Sequence, residues 1–131
     1  MTFSVLVVIF GYGFITPVKP TTAVLSVNPE TVVAGRPLVL TCITGSSNPA
    51  ASITWEHNHN VITNAAPVSE TRGDNNGIVT TQTLTIQLTR SMDGDTYSCS
   101  GNNVAGTSSS SSTKISLTCR FKVCYLKCLD S

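Results

Sequence analysis

Charge is scarce in this sequence. Only 11% of its 131 residues are charged, eight basic against seven acidic, which leaves a net charge of +1. No basic stripe exists for a nucleic-acid backbone to rest on. Lys and Glu are rare, whereas Ser (16) and Thr (19) make up 35 of the 131 residues. Such usage disfavours helices and suits strands. No Asn is followed by the x-Ser/Thr that N-glycosylation requires. There is no glycine-rich phosphate cradle, no Gly-x-Ser-x-Gly elbow and no CxxC knuckle. No apolar run is long enough to cross a bilayer, which takes about 20 residues. What is present is enough apolar content, 40% of residues, to exclude a disordered scaffold and to fill one core.

The two ends differ from the middle. Phe3–Ile15 reads FSVLVVIFGYGFI, 13 nearly unbroken apolar residues. That length suits the centre of a secretory signal, and Thr21-Thr22-Ala23 places small residues where a signal peptidase inspects them. The expectation is a signal over 1–23, cleaved after Ala23, although no Lys or Arg precedes the run. The alternative is a misassigned start, with the run belonging to an upstream strand or anchor. The other end, 119–131, holds three of the five cysteines, Cys119, Cys124 and Cys128, together with Arg120, Lys122 and Lys127. Their C-x4-C-x3-C spacing lacks a fourth metal ligand. Cys128-Leu129-Asp130-Ser131 has the length of a prenylation box, but Asp130 stands where an aliphatic residue belongs. The segment is expected to be the truncated or misread end of a longer protein, outside the fold. With five cysteines, at least one thiol stays unpaired or bridges to another chain; the pairing of Cys119, Cys124 and Cys128 stays open.

Between Val24 and Thr118 the apolar residues alternate with a period of two, interrupted by turn residues. Val24–Val27 reads as a strand. Leu38, Leu40 and Cys42 share a face, as do Ile53, Trp55 and His57. Val61-Ile62 is short, and Thr63–Asn76 is looser. Asn76-Gly77 is a strong hairpin signal. Leu84, Ile86 and Leu88 share a face of a long strand, Ile78–Thr89, and Tyr97, Cys99 and Gly101 share a face of the next. Asn102–Gly106 is a hairpin tip, and Thr107–Leu117 closes the series. Seven or eight short antiparallel strands, each with one apolar face, must pack as two sheets to escape water.

These residues resemble the immunoglobulin superfamily, over about Val24 to Thr118. Cys42, Trp55 and Cys99 stand in the expected order, Trp55 13 positions after Cys42 and Cys99 57 after it. Asp93-Gly94-Asp95-Thr96-Tyr97-Ser98-Cys99 resembles the family's D-x-G-x-Y-x-C motif. The resemblance implies an all-β immunoglobulin-like antiparallel β-sandwich with a Cys42–Cys99 disulfide. A loop of that length stabilises by roughly 4 kcal/mol in the chain-entropy model. It implies that Trp55 packs against the disulfide and that Tyr97 closes the preceding turn through its hydroxyl. It also implies an ion pair between Asp93 and an Arg, with Arg72 the first candidate and Arg36 the second. Asp95 replaces the usual Gly or Ala. The spacing is short for a variable domain and fits an intermediate or constant-2-like set. Asn48-Pro49 before Ile53-Thr54-Trp55, the Thr-rich Gly77–Thr85 run and the Asn102–Gly106 tip look similar to domains of multi-Ig adhesion receptors of the nephrin and Kirre kind.

Chemistry is sparse. His57 and His59 form an H-x-H pair with no third ligand nearby in sequence, at a strand end and turn. Asp93 and Asp95 fit a structural motif better than a carboxylate pair at work. No catalytic, metal or cofactor site is expected. The expected role is a non-catalytic extracellular module that binds a protein ligand in cell adhesion or receptor recognition. That ligand could be another Ig-like domain, bound homophilically or heterophilically. The alternative is a secreted single-domain immune or matrix binder, and a metalloprotein or enzyme is the remote third.

Overall fold

The computed structural model describes residues 8–9, 14–28, 32–120 and 123–126. Most of the Phe3–Ile15 run, and Cys128 with its four-residue box, lie outside them. In chain order the strands are β1 (Val8–Ile9), β2 (Phe14–Ile15), β3 (Ala23–Asn28), β4 (Pro37–Thr44), β5 (Ser52–His57), β6 (Asn60–Ile62), β7 (Ser69–Arg72) and β8 (Ile78–Gln87). They continue with β9 (Thr96–Asn103), β10 (Gly106–Thr107), β11 (Ser111–Lys114), β12 (Leu117–Arg120) and β13 (Val123–Leu126). Among the described residues no helix is long and apolar enough to cross a membrane.

Two antiparallel sheets make the sandwich. One has the order β3-β4-β8-β7; the other runs β10-β9-β5-β6, with β11 also pairing β9. The period-two pattern sets which side faces in. Leu38, Leu40 and Cys42 on β4 face Trp55 on β5 and Tyr97 and Cys99 on β9, and Leu84, Ile86 and Leu88 belong to the same buried cluster. The hairpin expected at Asn76-Gly77 forms: Arg72 pairs with Ile78 across a loop with a 3-10 turn at Asp74–Asn76. Asn75 and Asn76 both take positive φ there, a conformation asparagine tolerates better than most residues. Strand β7 itself escaped the sequence pattern, because all four of its residues are exposed and none is apolar.

The structure differs from the expected 24–118 boundaries at both ends. Before β3, Pro20 is buried, and Val18 pairs with Asn48 through backbone bonds in both directions, 2.6 and 2.9 Å. Ala23, the expected cleavage position, is the first residue of β3 and is buried. After residue 118 the expectation of a segment outside the fold is corrected. β12 pairs with β13 in register, Cys119 opposite Cys124, and those two cysteines form a second disulfide. β13 then lies along residues 32–34: Ala34 donates to the carbonyl of Cys124 at 2.8 Å, and Leu126 donates to that of Val32 at 2.7 Å. Leu126, 2% exposed, joins the main core. The alternation Val123-Cys124-Tyr125-Leu126 is the signal for this strand; the abrupt change of composition hid it.

Candidate functional site

The centre of the molecule is built as the resemblance implied. Cys42 on β4 and Cys99 on β9 are bonded across the two sheets, with an S–S distance of 2.07 Å and a Cα separation of 6.4 Å. Trp55 pairs directly with Cys99 on the neighbouring strand and is 2% exposed. Its indole N–H does not go unpaired: it donates to Oε1 of Gln82 on the opposite sheet at 2.9 Å. Gln82 in turn donates through Nε2 to the carbonyl of Ala66 at 2.7 Å. This polar chain ties the loose segment after β6 to the core, and its signal in the sequence was Gln82 in the same inward row as Leu84 and Ile86.

At one corner the motif residues take partners other than those expected. His57 and Tyr97 are cross-strand partners. Their rings stack at 4.3 Å between centroids, with 2° between planes. Tyr97 is thus held by ring stacking, and among the described hydrogen bonds none comes from its hydroxyl. His57 Nε2 meets Asp95 Oδ2 at 2.8 Å, an ion pair when the imidazole is protonated. That bond, with help from Asn58 and the charge of His57, holds the Asp95 carboxyl below its usual range despite opposing desolvation. Burial, and then the charge of Asp95, push the Tyr97 phenol above its usual value. Asp95, the residue that departs from the family motif, therefore has a partner of its own. Asp93 and Arg72 do not form the expected ion pair. Asp93 Oδ1 accepts the backbone N–H of Leu117 at 2.9 Å instead, and Arg72 lies on β7, where it lines an open cleft of about 360 Å³ with Glu70 and Asn76. The second candidate, Arg36, is exposed in the turn before β4.

Neither His57 nor His59 has the surroundings of a metal ligand. His59 sits in the exposed β5–β6 turn at φ 71°. Among the described residues no group of three or more His, Cys, Asp or Glu is placed around a common point.

The outer face of the five-stranded sheet is polar with one projecting valine. On the five-stranded sheet the outward residues include Thr54 and Glu56 of β5, Val61 of β6, Thr96, Ser98 and Ser100 of β9, and Ser112 and Lys114 of β11, matched in register across the strands. Val61 is 62% exposed, and Val104, in the turn between β9 and β10, is 78% exposed. That turn is not loose. Asn103 donates through Nδ2 to the carbonyls of Val18 and Pro49, both at 2.9 Å, and accepts the N–H of Ala105 through Oδ1. Ser46 Oγ likewise donates to the carbonyl of Asp74 at 2.8 Å. Four segments are thereby tied together at one end of the sandwich.

Solved structures share this architecture. The full three-domain ectodomain of mouse nectin-like molecule 4 matches with a TM-score of 0.65 and 20% identity, over 76% of this chain and 34% of that one. The D1-D2 portion of Rst matches with a TM-score of 0.57 and 17% identity, over 67% and 48%. The C1 domain of the IgNAR antibody matches with a TM-score of 0.55 and 20% identity, over 72% and 94%. The chain thus spans about a third of the nectin-like ectodomain and about half of the Rst portion. No curated protein matches it in sequence. The family model for the CD80-like C2-set immunoglobulin domain matches residues 18–110, beginning at the Val18–Asn48 pairing rather than at Val24, and on that match and the disulfide-centred sandwich the chain belongs to the CD80-like C2-set immunoglobulin domain family.

Proposed function

We propose that the chain is an extracellular, non-catalytic recognition module that binds a protein ligand, such as another Ig-like domain, in cell adhesion or surface recognition of the multi-Ig, nephrin and Kirre kind. Its export would use a leader within residues 1–23. The observation that carries this reading is the pairing of a rigid frame with two projecting apolar side chains. Val61 and Val104 are exposed, and the outward sheet face carries Ser and Thr hydroxyls with two charged residues, Glu56 and Lys114. Few charges on this face need desolvation, and a rigid frame loses little entropy on binding. The likeness to adhesion-receptor ectodomains supports the same reading.

The test uses the full chain, displayed in many copies on beads for homophilic contact and as a tetramer on intact cells for heterophilic contact. One of the two is expected to bind, and Val61→Lys with Val104→Lys is expected to abolish that binding without moving the thermal midpoint. Absence of both kinds of binding, or binding indifferent to the two substitutions, overturns the proposal.

A further inference from the structure

Nine asparagines occur in the chain, and Asn76 alone precedes a glycine. The pair closes the β7–β8 hairpin, in which Arg72 stands opposite Ile78. Asn75 takes φ 56° and Asn76 φ 60°. Both asparagines are exposed, whereas Gly77 is buried.

Asparagine is among the thermolabile residues, and a following glycine opens it to attack by its own main chain. Lacking a Cβ, glycine leaves its nitrogen unshielded and bends freely into the conformation that ring closure needs. Here that nitrogen is engaged: Gly77 donates its N–H to the carbonyl of Asp74 at 2.9 Å. Ser46 Oγ, from a different loop, donates to the same carbonyl at 2.8 Å. Gly73 donates to the carbonyl of Gly77 at 2.8 Å, and Ile78 to that of Ser47 at 2.7 Å. A small ring of bonds thus restrains the attacking nitrogen, in a loop whose asparagines face water. Opening such a loop costs far less than opening the core sheets.

We propose that Asn76 is a site of self-modification, gated by the bond from Gly77 to Asp74. When that bond opens, the main-chain nitrogen of Gly77 attacks Cγ of Asn76. An N–Cγ bond forms, the Cγ–Nδ2 bond breaks, and ammonia leaves with the proton of the Gly77 N–H. Water then opens the cyclic imide. Attack at Cγ gives aspartate, and attack at the main-chain carbonyl carbon gives isoaspartate, with the chain now running through Cβ. No oxidant or cofactor takes part. Either product adds one negative charge, which takes the net charge of the chain from +1 to neutral. The aspartate form places its carboxylate at the open cleft that Asn76 shares with Arg72 and Glu70. The isoaspartate form lengthens the main chain inside the turn that sets the β7–β8 register. The proposal is independent of the ligand-binding role above, because it needs only the folded chain and water.

The experiment incubates the oxidised full chain at mildly alkaline pH, native and in urea. Conversion is followed by peptide mass spectrometry and by labelling with an isoaspartyl methyltransferase. Asn76 is expected to convert in the native chain, more slowly than in urea, while Asn75 and the other asparagines stay intact. Ser46→Ala unties the loop from its neighbour. It should accelerate the native reaction and leave the rate in urea unaltered, with the amides of β4 and β9 still protected from hydrogen exchange. Asn76→Ser should abolish the label. In the converted chain, exchange should quicken at the Gly73 and Ile78 amides and stay unchanged in β4 and β9. A native chain that remains unconverted while the chain in urea reacts overturns the proposal. So do equal native rates with and without the Ser46 hydroxyl, and label spread over the other asparagines.

Discussion

The indole N–H of Trp55 and the side-chain oxygen of Gln82 meet at 2.9 Å across the two sheets. The largest core side chain thereby spans the sandwich by packing and by a directed bond together. Trp55→Ala should cost about 3–5 kcal/mol through lost volume and contacts. Gln82→Leu should cost about 1–3 kcal/mol, because the indole N–H is then buried without a partner. Urea unfolding checks both, and an unchanged midpoint for Trp55→Ala would show that the ring is not central.

Gly101 on β9 lies tight against Thr44 of β4. A Cβ built there would lie 2.7 Å from Cγ2 of Thr44. Thr44 cannot simply turn away, since its hydroxyl accepts the backbone N–H of Thr80 at 3.1 Å. Gly101→Ala should therefore destabilise by about 1–3 kcal/mol. Thr44→Ser removes the clashing methyl and keeps the hydroxyl. The double variant should recover most of the loss, measurable as a positive coupling in a double-mutant cycle.

The inward rows were legible in the sequence because burial imposes a period of two on them. Leu38-Leu40-Cys42, Leu84-Ile86-Leu88 and Tyr97-Cys99-Gly101 are all buried. The family motif located the disulfide and Trp55 by the same constraint. Legibility ended where side chains choose between several polar partners. Asp93 accepts a backbone N–H in place of Arg72, since a turn places an amide within reach at less entropic cost than holding a long guanidinium. Asp95 and His57 lie 38 positions apart, and no local pattern announces their bond. β7 was invisible because an exposed edge strand needs no apolar face. The hairpin β12–β13 was legible in its alternation, but the three cysteines and the basic residues of 119–131 pointed elsewhere.

The pH dependence of stability should carry a trace of Asp95. Its carboxyl is held below the ordinary aspartate value of 3.8, chiefly by the bond from His57. A lowered native value means that the unfolded chain takes up the proton more readily. The stabilisation is therefore complete above the ordinary aspartate range and is lost as pH falls through the native value. Urea midpoints followed down from neutral pH should fall more for the parent chain than for Asp95→Asn. His57→Phe, which keeps a ring against Tyr97 but removes the bond, should resemble Asp95→Asn. Parallel curves for all three would refute the role of the pair.

Residues 16–22 should contribute to stability although they precede the first strand of the sandwich. Pro20 is buried, Val18 makes two backbone bonds with Asn48, and Gly45 donates to the carbonyl of Thr22 at 2.9 Å. A chain beginning at Thr16 should exceed one beginning at Val24 by about 2–4 kcal/mol. Equal unfolding midpoints for the two would show that these contacts add nothing net.

The two disulfides should part company under reductant. Cys42–Cys99 is wholly buried and closes a span of 57 positions, whereas Cys119–Cys124 closes a span of five and exposes Cys119. Access governs the rate at which a thiolate attacks, so mild reductant should open the hairpin first. Replacing Cys119 and Cys124 together by Ser should cost about 2 kcal/mol in the chain-entropy model, against roughly 4 kcal/mol for the central pair. The loss should be local. Hydrogen exchange at Ala34 and Leu126, whose N–H groups bond between β13 and residues 32–34, should accelerate, while amides of β4 and β9 stay protected. Uniform acceleration across the sandwich would instead mean that the hairpin and the two sheets unfold as one unit, and the clasp would then be part of the central frame.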